Sequence, residues 1–312
     1  MKHRHSPPHQ VGAALLTAML TVTLVATFAS AAMWQQWRGV EVESAERQRV
    51  QMTWVLSGAL DWARLILQED ARSAQVDHLS EPWALPLQEA RLSSFLAVDR
   101  NNTDDTMEAF LSGRISDEQA LLNVSNLVEG GKRHAPSVKT FRRLFNLLNV
   151  PAAQLDTLVN GLIKAQAADT LLMPVRTSQL VWLGVPVQTL QLLAPYITLL
   201  PGRTAVNLNT AAPEVMVAVL PGLEMGQARR MVAQRAMSHY PAVGDALRAA
   251  GLREDQVDAS QLSVVSRFFA VRGRLRLGDM AVQERSLVER QGVAVKVLWR
   301  QRDVAGTGPS LQ

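Results

Sequence analysis

The chain has 312 residues, a formal net charge of +4 and no cysteine. The missing cysteine excludes disulfide scaffolds, thiol nucleophiles and thiolate metal sites. With 47% hydrophobic and 19% charged residues, the composition is that of a folded protein, and so small a positive excess does not mark a nucleic-acid binder without a local basic patch.

Met1 to Gly12 is a short polar leader that carries Lys2 and Arg4, and Ala13 to Trp34 is free of charge. As a helix those 22 residues span about 33 Å, enough to cross a bilayer core of about 30 Å. The basic leader then stays cytoplasmic and the rest of the chain faces the other side. Three readings fit this stretch. One is a cleaved secretory signal, since Ala29-Ser30-Ala31 is a small-x-small site. Another is a plain signal anchor. The third is a type IV prepilin-like signal, in which a basic leader ends in Gly and a membrane peptidase cuts after it; Gly12 followed by Ala13-Ala14-Leu15-Leu16 suits this. The sequel favours the third. Met52, Val55, Ala59, Trp62, Ala63 and Ile66 recur at helical spacing, so one long helix, apolar and then amphipathic, is expected. Its other faces carry Val50, Trp54 and Leu65.

Asp70 to Pro86 reads as loop with Trp83 buried in it, Leu92 to Val98 as a short strand, and Asp99 to Thr106 as a solvated acidic loop. A second strand lies within Arg114 to Leu127, and Glu129-Gly130-Gly131-Lys132 breaks the chain. From Pro136 to about Ser260 the apolar spacing is helical, cut by prolines into short helices. Then the period becomes two: Val271, Gly273, Leu275 and Leu277 alternate with Arg272, Arg274 and Arg276, the first strand of a closing antiparallel meander. The expected class is α+β, a long N-terminal helix on an antiparallel sheet with a large all-α insertion.

Enzyme signatures are absent from the sequence: there is no His-Glu-x-x-His, no Gly-x-Ser-x-Gly and no phosphate loop. His78, His134 and His239 stand apart along the chain. Asp104, Asp105, Asp117 and Glu118 are weak candidates for a calcium site; an EF-hand starting at Asp99 would need Gly and Glu where Asp104 and Phe110 stand. The sharpest local pattern runs from Val206-Asn207-Leu208-Asn209-Thr210 through Leu220-Pro221-Gly222-Leu223 to Arg229 and Arg230. Thr210 is expected to cap a helix, Pro213 and Glu214 to form its first turn, and Pro221-Gly222 to make a hairpin. This resembles the helix-hairpin-helix of competence-type DNA receptors, except that Glu224 stands where their second hairpin Gly lies against a phosphate. A membrane-anchored DNA receptor is therefore the alternative function, with no nucleic acid expected on the leading one.

Taken with Asp77, Trp83, Pro86 and the run Asp117 to Leu127, these features resemble the minor pseudopilin K family of the type II secretion pathway along nearly all the chain. The resemblance implies cleavage after Gly12 and N-methylation of Ala13 by the prepilin peptidase, a single pass of the inner membrane and a periplasmic bulk. It implies a non-catalytic subunit at the pseudopilus tip, partnered by minor pseudopilins I and J and by the inner-membrane assembly platform. The fifth mature position is Thr17 rather than the Glu of most pseudopilins, an exception this family shares; Glu there neutralises a buried N-terminal amine, which a subunit with none above it can forgo. An acidic Asp-Trp-x-Asp segment usual in the family is replaced by Gly161 to Gln166, which weakens any calcium role tied to it. The implied organisation is a leader at 1–12, a membrane segment at 13–34, a pilin-like domain at 35–135 and 261–303, an inserted domain at 136–260 and a tail at 304–312.

Overall fold

The computed structural model describes residues 11–92, 109–167, 172–278 and 280–304. Helix α1 runs unbroken from Val11 to Ser73. No proline interrupts it, and once past the apolar run it is laced by Arg47–Glu43, Arg64–Asp61 and Arg72–Glu69 pairs at helical spacing. The chain separates into two compact units between Val55 and Leu56. In the first, every side chain from Ala13 to Arg47 is exposed.

The second unit holds a five-stranded antiparallel sheet in sequential order: β1 (Leu87–Arg91), β2 (Ala109–Asp117), β3 (Phe268–Leu277), β4 (Met280–Gln291) and β5 (Ala294–Val304). Leu60, Ala63 and Leu67 of α1 pack with Trp83, Ile115, Phe269, Val271, Val288 and Val295 into one core. Trp83 meets Phe269 edge to face at 5.2 Å between ring centroids. The α1 seam therefore differs from the expected one. Leu56, Leu60, Ala63 and Leu67 are buried, whereas Val55, Ala59 and Ile66 flank the seam and Trp62 is 48% exposed. Spacings of four, three and four hold a stripe straight along a 3.6-residue helix; the expected set mixed that stripe with the face beside it.

The alternation read for β3 holds where one face is wet: Val271 and Leu275 are buried and Arg272 is exposed. At its start both faces are covered, so Phe268 and Phe269 are both buried. Phe268 packs on Leu200 and Leu287, away from the Phe269 cluster. The first strand is Leu87–Arg91 rather than Leu92 to Val98; Leu92 follows it, and 93–98 lie outside the described residues. The second begins earlier than expected, at Ala109, and gives way after Asp117 to 3-10 turns at Glu118–Ala120 and Val124–Leu127.

The helical insertion consists of α2 (Ala135–Leu147), α3 (Ala152–Ala167), α4 (Val187–Leu193), α5 (Pro213–Val219), α6 (Met225–Met237) and α7 (Val243–Ala250). Phe141, Leu144 and Phe145 of α2, with Leu155, Leu158 and Leu162 of α3, enter one core, as their spacing requires. Gly161 lets α3 close on the 3-10 segment Thr177–Leu183: a Cβ there would stand 2.8 Å from Leu183 Cβ.

Candidate functional site: anchor helix, apolar groove and polar junction

Along the described part of the apolar run, threonine hydroxyls turn inward. Thr17 Oγ1 donates to Ala13 O and Ala14 O, each at 3.0 Å, and Thr21, Thr23 and Thr27 do the same to carbonyls one turn back. These four threonine hydroxyls are thus satisfied by their own helix, which makes that stretch compatible with hydrocarbon. This helix is long and apolar enough to cross a membrane. Gly12 and Ala13 lie within α1, so the segment around the expected cut is helical backbone.

Farther on, α1 leaves Val50, Trp54 and Leu65 exposed at 53, 73 and 60%. In the second unit, Ala59, Trp62 and Ile66 line a groove of about 440 Å³ whose other wall includes Leu85, Leu87 and Leu111. Of the residues expected on the covered face, Met52 and Ala63 are buried, whereas Ala59, Trp62 and Ile66 form one wall of this open apolar groove. Exposed apolar surface of this kind marks an interaction face.

The Val206–Thr210 pattern sits at a buried junction between sheet and insertion. Asn207 Nδ2 donates to Asp77 O, Asp117 Oδ2 and Ser266 Oγ at 3.1, 3.2 and 3.0 Å. Thr210 does not cap a helix; its Oγ1 donates to Asp117 Oδ2 at 2.6 Å, and the N-cap of α5 is Ala212. Local sequence favoured capping, but a buried carboxylate from β2 took the hydroxyl. Asn209 clamps Tyr240 in both directions, accepting from its N–H and donating to its carbonyl. Arg235 Nη1 donates to Leu208 O at 2.6 Å, and burial pulls its guanidinium down to about 10.

Asp117 is saturated by protein donors, since Gln119 N–H takes Oδ1 and Ser266 and Thr210 hydroxyls take Oδ2. Burial nonetheless raises it to about 6, those hydrogen bonds pulling the other way. Glu118 is held by Arg285 through Oε1 and by Thr198 through Oε2. These two carboxylates thus face different donor sets. Asp104 and Asp105 lie outside the described residues.

Beside the junction, Arg290 Nη1 donates to Asp70 Oδ2 at 2.6 Å and its Nη2 to Asp77 Oδ1 at 2.5 Å. Burial raises Asp77 against the pull of Arg290, and burial followed by Glu81 raises Asp70 to about 6. Asp70 and Arg290 were not singled out in the sequence. They lie 220 residues apart, and nothing local couples them. His78 and His239, which stand apart along the sequence, are likewise brought together by the fold, their rings stacked at 3.9 Å.

The Leu220–Leu223 turn forms as expected, with Gly222 at φ 82°, a conformation that favours glycine. The following amide, Glu224 N–H, is taken by Gln227 Oε1 at 2.9 Å. A donor at the start of α6 is therefore spent within the helix rather than offered to a phosphate.

A family model described as type II secretion system (T2SS), protein K matches residues 206–265, the stretch that carries this junction. Type II secretion system protein K of Pseudomonas aeruginosa is 26% identical, over 94% of this chain and 90% of the relative. The protein of the same name from Klebsiella pneumoniae is 28% identical, over 96% and 97%. The fold is similar to a chain in the crystal structure of the GspK-GspI-GspJ complex from the enterotoxigenic Escherichia coli type 2 secretion system. That match has a TM-score of 0.67 and 19% identity, covering 84% of this chain and 99% of that one.

Proposed function

We propose that this chain, which belongs to the type II secretion system protein K family, is a minor pseudopilin that sits at the tip of the pseudopilus and helps to start its assembly. The observation that carries this reading is the division of labour along α1. Its first part is a membrane-length apolar rod whose threonine hydroxyls are satisfied within the helix. Its last part seats a sheet through Leu60, Ala63 and Leu67. Thr17 in place of the usual Glu supports a tip position, where no subunit above supplies an amine to neutralise.

On this reading the prepilin peptidase cuts after Gly12 and methylates Ala13. The chain stays in the inner membrane with its N-terminus cytoplasmic, and the assembly platform engages it there. The segments at 35–135 and 261–303 form the pilin-like domain, with 136–260 as its inserted cap. No catalysis is required of it. Minor pseudopilins I and J meet the exposed face of α1, where Val50, Trp54 and Leu65 stand in solvent.

Co-purification of the full chain with I and J in detergent tests the contact. Trp54→Asp places a charge in that apolar face and is expected to cut the captured partners at least tenfold, while the variant keeps its fold because Trp54 is exposed. Capture equal to wild type would remove α1 from the interface.

A further inference from the structure

We propose that the pocket between the 3-10 segment Thr177–Leu183 and strands β4 and β5 binds a carboxylate, held by Arg176, Arg285 and Trp299. The pocket has a volume of about 240 Å³, and these three residues line it together with Thr177, Ser178 and Glu118. Trp299 stands opposite Leu287 of β4 and packs on the cluster of Leu200, Phe268 and Leu287, which holds its ring in place. The guanidinium carbons of Arg176 and Arg285 lie 5.4 and 5.7 Å from the centroid of that ring. One aromatic platform thus gathers two like charges, one from the insertion and one from the sheet.

Donors are in excess there. Arg176 Nε, Arg285 Nε and Trp299 Nε1 are buried and have no hydrogen-bond partner. Unmade bonds of this kind are costly, and an oxyanion is the ligand that accepts without donating. The charge is unbalanced in the same sense. Arg272 lies opposite Arg285, and Arg114 opposite Arg272, so three arginines stand side by side across β2, β3 and β4. Among the described residues, Arg114, Arg176 and Arg272 have no ion pair. Glu118 is the one carboxylate among the described lining residues, and both its oxygens are already engaged, Oε1 by Arg285 Nη2 and Oε2 by the Thr198 hydroxyl. Its charge also selects among anions, because it opposes a dianion such as phosphate twice as strongly as a monoanion. A carboxylate presents two coplanar oxygens to the flat donor edge of a guanidinium, and its aliphatic stem suits the walls formed by Val175, Leu199 and Leu287. A free small acid and an acidic side chain of another protein chain carry this same group.

The full chain, in an uncharged detergent and isotope-labelled at its tryptophan indole nitrogens, is titrated with butyrate, with a blocked alanine peptide carrying one glutamate, with phosphate and with uncharged butyramide. The Trp299 indole resonance, assigned by its loss in Trp299→Phe, reports the pocket. In wild type it is expected to shift with butyrate at a half-saturation at least about tenfold below that of butyramide. Arg176→Gln breaks no ion pair and should fold, and it is expected to weaken butyrate at least about tenfold. If that variant is not folded, Arg176→Lys, which keeps the charge and loses the flat donor edge, is read in its place for a loss of at least about threefold. Tighter binding of the peptide than of butyrate supports the proposal with a protein ligand, and the reverse order supports it with a free acid. A Trp299 resonance that moves with neither would overturn the proposal. So would phosphate binding as tightly as butyrate, or a butyrate affinity that the substitution leaves unchanged.

Discussion

Asp117 shows how one carboxylate can organise two elements that the sequence keeps far apart. It ends β2, yet its oxygens collect Thr210, Ser266 and Asn207 from either end of the insertion's last stretch. Burial raises it to about 6, against about 3.9 in an unfolded chain. A raised carboxylate favours the folded state most when protonated. Its contribution is therefore complete below pH about 4 and is lost as pH rises through about 6, a swing of about 2–3 kcal/mol. Asp117→Asn cannot titrate. It should be destabilised, because its amide faces the Asn207 amide, but its denaturation midpoint should vary less between pH 4 and pH 7 than that of wild type. Parallel pH profiles for the two proteins would contradict this role. The Asn and Thr of Val206–Thr210 were visible as a motif, and their purpose was not. Local reading offered capping, while their partners Asp77 and Asp117 lie about 130 and 90 residues away.

At the level of elements, periodicity predicted most of what is built from amphipathic repeats. Phe141, Leu144 and Phe145, and Leu155, Leu158 and Leu162, face a core because every third or fourth position must. The β3–β5 meander was legible from strict alternation and glycine turns. Where two layers cover one strand, as at Phe268 and Phe269, alternation vanishes and boundaries blur. The α1 seam was legible in part: Met52 and Ala63 are buried as expected, while Ala59 and Trp62 line a groove and Leu56, Leu60 and Leu67 complete the buried stripe. Gly161 has a physical role of its own: α3 needs a missing side chain there to lie against Leu183. Gly161→Ala should lower stability by about 1–2 kcal/mol, overpacking against Leu183 outweighing the helix propensity gained. A stability equal to or above wild type in denaturant titration would show that α3 can shift to make room.

For the whole molecule, one helix joins a run long and apolar enough to cross a membrane to an amphipathic segment that seats a sheet, and the change of composition after Trp34 made this legible in the sequence. What composition could not give was the cluster at its end, where Asp70, Asp77, Glu81 and Arg290 meet from α1, a loop and β4. Such clusters depend on tertiary closure and leave no periodic trace. The account as a whole stands on the processing of the N-terminus, because a pseudopilin, a secreted protein and a plain anchor each leave a different first residue. Mass spectrometry of the membrane-extracted protein, made alongside the prepilin peptidase, reads that residue directly. The account predicts N-methylated Ala13 for wild type and the uncut chain for Gly12→Val, since a branched side chain at the cut hinders approach to the backbone. A protein beginning at Ala32, or an unprocessed Met1 with the peptidase present, would contradict it.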